Sequence, residues 1–231
     1  MSGIFYGIGV GPGDPELLTI KAYRRMKQCT TLVFPSETRE NCYAYQIVKQ
    51  ICPEIEEKEL LFFDFPMKKE KDELAQIHDA VYKEIQKRLY AGEDVAFLTI
   101  GDPFVYSTYI YIQKRAVADR RKVETISGVP SFCAACARLG IALGEGSEQI
   151  HVIPGSYEIE ESLKLPGTKV YMKAGKKLEE LKRLLQENER KSAEIYAVSN
   201  CGMPEEKIFY GLDEVKSEEG YLTLIIVKDK N

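Results

Sequence analysis

The residues of this chain whose types and spacing could do chemistry are grouped at the end of a buried strand near its middle. The run Val95–Ile100 is apolar apart from Thr99 and too short for a buried helix, so it predicts a strand covered on both faces. It stops at Gly101, and Asp102 and Pro103 are the residue types that cap and begin a helix. Ligands bind at this carboxyl edge in open α/β sheets, so the run predicts a ligand-binding corner. Spacing alone is equally compatible with an ordinary capped turn.

A second corner of the same kind follows the first strand. The segment Gly7–Gly13 is rich in glycine and leads into Asp14 and Pro15, so both corners share the sequence Gly-Asp-Pro. The dinucleotide fingerprint GxGxxG fails in both frames, because its third glycine would fall on Pro12 or on Asp14. As an N-cap, Asp14 would also occupy the N–H groups that a pyrophosphate needs. An NAD oxidoreductase is therefore a disfavoured alternative, which titration with NADH would test.

Strands and helices alternate through the first half of the chain. Besides the central run, strands are predicted at Ile4–Val10, Thr31–Pro35 and Leu60–Phe63, and helices at Cys42–Cys52 and Glu70–Ala91. This β-α repetition predicts a mainly parallel sheet. His78 lies off the apolar stripe of its helix, which predicts a solvated side chain. The helix after Pro103 is expected to run to Arg120-Arg121, where a charged stretch marks a domain boundary near residue 120.

The second half predicts a mixed sheet. Lys122–Ser127 reads as a short strand, and the Gly128 turn opens a helix that ends at Gly140. Further strands are predicted near Gln149–Ile153, Lys169–Lys173, Glu194–Ser199, Lys207–Gly211 and Tyr221–Val227, with a helix at Leu178–Glu189. The loop between the last two strands is too short for a helical crossover, so these strands are expected to be antiparallel. The fold class is α/β, with domains at residues 1–120 and 121–231.

Composition limits the classes of function. The chain has 231 residues, of which 44% are hydrophobic and 29% charged, enough for one large domain or two small ones with proper cores. It contains no run of about 18 apolar residues and no basic, signal-like start, so we expect a cytoplasmic protein without a membrane span. A net charge of −4 without a basic stripe argues against nucleic acid as a partner.

Six cysteines are scattered through segments with the character of a core. A chain of this length needs no covalent staples, so reduced thiols are expected. Cys133 and Cys136 form a lone CxxC inside an alanine-rich helix, and no second pair or neighbouring histidine accompanies them. We interpret them as packing residues and expect no protein-bound metal.

Taken together, the corners carry a resemblance to a known family. Gly7–Pro15, the run Gly101–Tyr109, the Gly128 corner with Ser131-Phe132, and Tyr171-Met172-Lys173 resemble the tetrapyrrole methylases of cobalamin and sirohaem synthesis. The similarity spans nearly the whole chain. Within the family, Gly101–Tyr109 is similar to the branch that methylates C-20 of precorrin-2 or cobalt-factor II. The resemblance implies two α/β domains, a homodimer, and S-adenosyl-L-methionine bound in a cleft between the domains.

The resemblance also implies which residues hold that cofactor. The N-terminal domain would supply the Gly-Asp-Pro turn and the tetrapyrrole trough, and the C-terminal domain would complete the cofactor site. The implied cofactor residues are Gly101, Asp102, Val105, Tyr106, Ser107, Ser127, Gly128, Met172, Cys201, Thr223 and Leu224. Core filling is the competing interpretation for Met172.

Substrate residues are expected in the N-terminal half. By resemblance, the loop that contains Gly9, Gly11, Pro12 and Gly13 forms the floor of the trough, where missing side chains would let a flat macrocycle approach. Precorrin-2 carries acetate and propionate groups, and three basic residues follow strand ends that should open toward it. These are Arg39, Lys68 and Lys69. Ordinary solvated surface charges are the alternative.

Departures from the family leave catalytic roles open. Relatives that methylate uroporphyrinogen carry an aspartate after the second strand, where this chain reads Pro35-Ser36-Glu37, so Glu37 is the candidate base and a solvated loop acid is the alternative. Tyr106 is the second catalytic candidate, because its ring could face the sulfonium. Relatives also carry proline before the third glycine corner, where Ser127 stands here. Methylation at another position, or a tetrapyrrole carrier without activity, are the competing functions.

Overall fold

Two compact units make up the protein, as its computed structural model shows. The structure describes residues 2–66, 70–155, 157–173, 178–187, 193–211, 215 and 222–229. The units are Met1–Pro130 and Ser131–Asn231. The division lies beyond the expected boundary at residue 120, because the strand at Val123–Ile126 completes the first sheet instead of opening the second. Each unit contains a five-stranded sheet, which confirms the α/β fold class.

The first sheet is parallel throughout. Its strands are β1 (Phe5–Gly9), β2 (Thr31–Phe34), β3 (Glu59–Phe62), β4 (Val95–Thr99) and β5 (Val123–Ile126). They lie in the order β3-β2-β4-β1-β5, so β1 and β4, whose ends carry the two Gly-Asp-Pro corners, are hydrogen-bonded neighbours. All five carboxyl ends therefore point to one edge, as the alternation of strands and helices predicts.

Within the described residues of this unit, four α-helices connect the strands. They are α1 (Ile20–Gln28), α2 (Tyr43–Ile51), α3 (Lys71–Tyr90) and α4 (Tyr109–Ala118). The helix expected directly after Pro103 begins only at Tyr109, so residues 102–108 form a loop without regular structure. Ser107 supplies the side-chain oxygen at the start of α4, since its hydroxyl accepts the Tyr109 N–H at 3.2 Å.

Tyr109 is the centre of the core between this sheet and its helices. It is fully buried, and its ring centroid lies 5.8 Å from that of Phe5 and 6.0 Å from that of Phe97. A side-chain carbon at Gly7 would overlap the Tyr109 ring, so this glycine makes the room that the ring fills. The Tyr109 hydroxyl meets Thr125 Oγ1 at 2.7 Å, which ties α4 to β5.

His78 of α3 is buried, so the prediction of a solvated side chain is wrong. Its ring stacks on Tyr111 of α4 with centroids 4.8 Å apart, and the Phe65 ring lies 5.7 Å away. Burial, aided by the nearby Arg115 charge, lowers the pKa of His78. The stripe of α3 could not reveal this, because both aromatic partners belong to other segments.

The second sheet is mixed, as predicted. Its strands are β6 (Ile150–Pro154), β7 (Thr168–Met172), β8 (Glu194–Ser199), β9 (Lys207–Tyr210) and β10 (Thr223–Lys228). Their order is β6-β7-β10-β8-β9, and only the β6–β7 pair among these described strands is parallel. The predicted antiparallel relation of the last two strands is wrong. β8 lies between them and is antiparallel to both, so β9 and β10 run in the same direction.

Helices of the second unit pack an apolar core against this sheet. The described ones are α5 (Ser131–Leu139), α6 (Ile159–Leu163) and α7 (Leu178–Glu187). Leu163 of α6 and Leu181 of α7 are buried with Tyr171, Ala197 and Ile225 of the sheet. Across the described parts of both units, none of the helices combines the length and the apolar character needed to span a membrane.

Candidate functional site

Three glycines meet at the carboxyl edge of the first sheet, where β1, β4 and β5 end. A side-chain carbon at Gly9 would lie 2.5 Å from the Gly101 carbonyl oxygen and 2.6 Å from the Gly128 nitrogen. At Gly128 such a carbon would overlap the same carbonyl oxygen. The Gly101 N–H donates to the Gly11 carbonyl at 2.7 Å, which forms an isolated antiparallel bridge. We call Gly9, Gly11, Gly101 and Gly128 the glycine corner.

The Asp102 side chain stabilises the glycine corner by accepting two backbone hydrogen bonds. Its Oδ1 accepts the Phe104 N–H at 2.8 Å and its Oδ2 accepts the Gly128 N–H at 3.1 Å. One carboxylate therefore joins the loop after β4 to the turn after β5 by hydrogen bonds that its charge strengthens. Asp14 repeats the local part of this arrangement, since its Oδ1 accepts the Glu16 N–H at 2.9 Å. Asp102 therefore stabilises the glycine corner through its hydrogen bonds to the backbone. Its direct contact with a cofactor stays a prediction.

Gly101 differs from the other two glycines where the strands end. Its φ of +69° lies in the left-handed region that glycine tolerates best. Apart from its chain neighbours, no atom of the described residues lies within 4 Å of the position that a side-chain carbon would take. At Gly9 and Gly128 that position is filled by neighbouring backbone. Gly101 is therefore the member of the glycine corner beside which a ligand has room to lie.

The loop from Gly9 to Gly13 is buried along its whole length. Gly9 is glycine because the Gly101 and Gly128 backbone approaches it, and Gly11 because its φ is +81°. These contacts account for two of the four loop residues that were assigned to the substrate, without any macrocycle. For Pro12 and Gly13 the trough assignment stays a prediction of the resemblance.

The loop after Asp102 carries three further predicted cofactor residues. Tyr106 is 43% exposed and has a φ of +49°, a conformation that costs a non-glycine residue about 1–2 kcal/mol. Ser107 is buried, and its hydroxyl donates to Thr99 Oγ1 at 3.0 Å while accepting the Tyr109 N–H. Its hydroxyl therefore anchors the loop to β4. Val105 is half-buried in the same loop, and the remaining residue, Ser127, is exposed beside Gly128.

The loop after β2 opens at the same sheet edge and carries Glu37 and Arg39, both exposed. The Arg39 guanidinium lies 5.9 Å from the centroids of both the Tyr45 and Phe62 rings. Its ion pair with Glu56 is long, at 3.9 Å, and that carboxylate is held more closely by the Tyr45 hydroxyl at 2.8 Å. Aromatic rings thus support the guanidinium while its N–H fork keeps the capacity to bind a carboxylate.

Two of the predicted basic residues, Lys68 and Lys69, lie outside the described residues. Their assignment to the substrate stays a prediction.

Four predicted cofactor residues of the second unit lie together at one edge of its sheet. Met172 ends β7 opposite Leu224, and Thr223 begins β10 opposite Ser199, with the two hydroxyls 2.7 Å apart. Cys201 follows β8 and is buried. Thr223 and Leu224 are also buried, whereas Met172 is half-buried. The structure therefore brings the set together, although the residues are far apart in sequence.

Glu206 holds the turn that contains Cys201, and no sequence motif indicates this role. Its carboxylate accepts the Gly202 N–H at 2.6 Å and two N–H groups of Arg138 on α5, at 2.9 Å and 2.5 Å. Burial alone would raise the pKa of Glu206, but the bonds from Arg138 and Gly202 outweigh it and hold the pKa below its ordinary value. Asn200 precedes this turn with a φ of +50°, a conformation that asparagine tolerates.

The cysteines carry free thiols. Cys133 is exposed and the other five are buried, and burial raises the pKa of Cys29 to about 12 and that of Cys42 to about 11. Burial also raises the pKa of Cys133 and Cys136, so neither is an activated thiolate. Among the described residues, no group of three or more histidine, cysteine, aspartate or glutamate side chains is placed to hold a metal ion.

Comparison with known proteins identifies a family whose members are similar to this chain. Residues 5–215 match the model of the Tetrapyrrole (Corrin/Porphyrin) Methylases. A Methanocaldococcus jannaschii protein named "Probable cobalt-precorrin-2 C(20)-methyltransferase" is 34% identical over 96% of this chain and 95% of its own length. A Sinorhizobium protein named "Precorrin-2 C(20)-methyltransferase" is 28% identical over 98% and 97%.

A solved structure has the same fold. Uroporphyrin-III C-methyl transferase from Thermus thermophilus, in complex with S-adenyl homocysteine, superposes with a TM-score of 0.71 at 22% identity, covering 98% of this chain and 97% of that one. At this identity the likeness concerns the fold.

The glycine corner predicts different costs for alanine at Gly128 and at Gly101. Gly128→Ala should lower the free energy of unfolding by about 3 kcal/mol, because the new carbon overlaps a backbone oxygen that cannot rotate away. Gly101→Ala should lower it by only about 1–2 kcal/mol, the cost of the left-handed backbone alone. Urea denaturation followed by far-UV circular dichroism measures both. Equal losses for the two variants would contradict the described corner.

Proposed function

Because this chain belongs to the tetrapyrrole (corrin/porphyrin) methylases, we propose that it transfers a methyl group from S-adenosyl-L-methionine to C-20 of precorrin-2 or cobalt-factor II in cobalamin biosynthesis. The observation that carries the proposal is similarity along nearly the whole chain to proteins named for that reaction. The intact Gly-Asp-Pro corner, open beside Gly101, supports it. The protein would work as a homodimer in the cytoplasm.

The proposed reaction is a direct displacement. S-adenosyl-L-methionine, when bound, supplies an electrophilic methyl group on its sulfonium. The electron-rich meso carbon C-20 of the macrocycle would form a bond to that methyl group while the methyl–sulfur bond breaks. S-adenosylhomocysteine would be the leaving group, and the C-20 proton would leave afterwards. The nucleophile already resides in the substrate, so no covalent bond to a protein side chain is required. The contribution of the protein is to hold the reacting atoms in line and near contact distance.

The described residues support such a role for the corner. Asp102 accepts hydrogen bonds from two backbone N–H groups, and Ser107 bonds to Thr99 and to a backbone N–H group. These bonds make the loop around Gly101 a stiff support. The Asp102 carboxylate also leaves a negative charge beside the corner, which favours a ligand that carries a sulfonium and an ammonium. Glu37 and Tyr106 are the proposed catalytic groups, the first as acceptor of the C-20 proton and the second as the ring that faces the sulfonium.

Turnover decides between C-20 and another position. Purified protein incubated with S-adenosyl-L-methionine should add one methyl group to precorrin-2 or cobalt-factor II, and NMR of the product should place it at C-20. Supplying both substrates in parallel determines whether the natural one already contains cobalt, which the macrocycle itself would hold. A product methylated at a different carbon would contradict the C-20 assignment.

A tetrapyrrole carrier without activity is distinguished by cofactor binding. Calorimetry should detect S-adenosylhomocysteine binding to the wild type. Gly101→Val should abolish that binding while the far-UV circular dichroism spectrum is kept, because a branched side chain would fill the open space beside the corner. A carrier would bind no S-adenosylhomocysteine, and unchanged affinity in the variant would show that the cofactor lies elsewhere.

Arg39 is the best candidate to bind a substrate carboxylate. Arg39→Ala should raise the Michaelis constant for the tetrapyrrole roughly five- to ten-fold at low salt and less at high salt, because screening weakens an exposed ion pair. Affinity for S-adenosylhomocysteine should stay the same. Lys49→Ala is the matched control, since Lys49 also pairs with Glu56, at 3.0 Å, but lies in the last turn of α2. If both variants behave like the wild type, the substrate does not meet this loop.

A further inference from the structure

Phe104 exposes an apolar ring at the carboxyl edge of the first sheet. The chain has nine phenylalanines, all within the described ranges, and Phe104 alone is exposed, at 55% of its surface. A phenyl ring has no hydroxyl to bond with water, so its exposure forfeits hydrophobic free energy that burial would supply. Tyr106, two residues later, is also exposed. Two aromatic rings thus face solvent within one short loop.

The support beneath Phe104 is rigid. Its N–H is bonded to Asp102 Oδ1, and the preceding Pro103 restricts the backbone further. One side of its ring packs on the Tyr109 ring, with centroids 6.0 Å apart and planes tilted by 60°. Tyr109 is itself fixed by burial, by its close fit over Gly7 and by the bond to Thr125. The exposed part of Phe104 is therefore held in place before any ligand arrives.

Backbone strain in the same loop also indicates a ligand-contact surface. Tyr106 keeps a left-handed φ of +49°, at a cost to folding that a glycine or asparagine would avoid. Strain of this kind persists where the surrounding structure imposes it, and it is concentrated at ligand sites. A rigid, apolar and strained loop beside Gly101 has the properties of a contact surface for a flat, conjugated ligand.

We infer that Phe104 contacts the face of the tetrapyrrole macrocycle and, together with Tyr106, sets where the ring lies at the glycine corner. The inference rests on the proposed function for the identity of the ligand. Conjugated rings attract each other when offset or tilted, and the contact would cover the apolar surface that Phe104 leaves open. Phe104 is therefore a substrate-contact residue that neither the motifs nor the resemblance assigned.

Binding of cobalt-factor II without S-adenosyl-L-methionine tests the inference, because the coloured macrocycle reports its own binding by absorbance. Phe104→Ala should raise the dissociation constant roughly ten-fold, Phe104→Leu should raise it less, and Phe104→Tyr should restore it. Affinity for S-adenosylhomocysteine, measured by calorimetry, should not change. The thermal midpoint of Phe104→Ala should stay close to that of the wild type, since more than half of the ring is already exposed.

Tyr210→Ala is the matched control, because Tyr210 is an exposed aromatic residue of β9 in the second unit. The affinity of this variant for the macrocycle should equal that of the wild type. The inference is overturned if Phe104→Ala binds within about two-fold of the wild type, if its cofactor affinity falls in parallel, or if the wild type binds no macrocycle. Binding that depends on Phe104 without methyl transfer would overturn only the proposed function. Methyl transfer with affinity independent of Phe104 would overturn only this inference.

Discussion

Backbone contact between glycines is the constraint on which the ligand edge of the first unit depends. Gly9 and Gly128 leave no space for a side-chain carbon beside the Gly101 carbonyl, so β1, the loop after β4 and the turn after β5 come together as bare main chain. Main chain cannot change rotamer, which makes this junction stiffer than one formed by side chains. The Asp102 carboxylate adds a hydrogen bond to each of the two loops.

Local sequence signals predicted much of this architecture. The alternation of strands with helices implies parallel strands, and parallel strands bring their carboxyl ends to one edge, so the convergence of Gly9, Gly101 and Gly128 follows from residues that are far apart in the chain. The repeated Gly-Asp-Pro sequence correctly indicated a repeated aspartate-to-backbone bond. The prediction that α4 begins directly after Pro103 is wrong, because the same aspartate cap is compatible with a helix and with the irregular loop that is observed.

Features that depend on contacts distant in sequence could not be predicted. The bond of Glu206 to Arg138 joins residues 68 positions apart, and neither residue type in its own segment indicates a partner. His78 is buried by Tyr111 and Phe65, which a helical stripe cannot include. The prediction that the last two strands are antiparallel is wrong for a related reason. The antiparallel prediction rests on the length of the connection between β9 and β10, and that length carries no information about a strand that already lies between them.

The position of β10 affects which strands can pair while the protein is being synthesised. In space it lies between β7 and β8, although both are synthesised before it. Until β10 emerges from the ribosome, these two strands present unpaired edges, and such edges are templates for pairing with other chains. The described strands of the first sheet all end by residue 126, so this sheet can form earlier. During synthesis the first sheet can therefore be complete while the second still has unpaired strand edges, which are prone to aggregation.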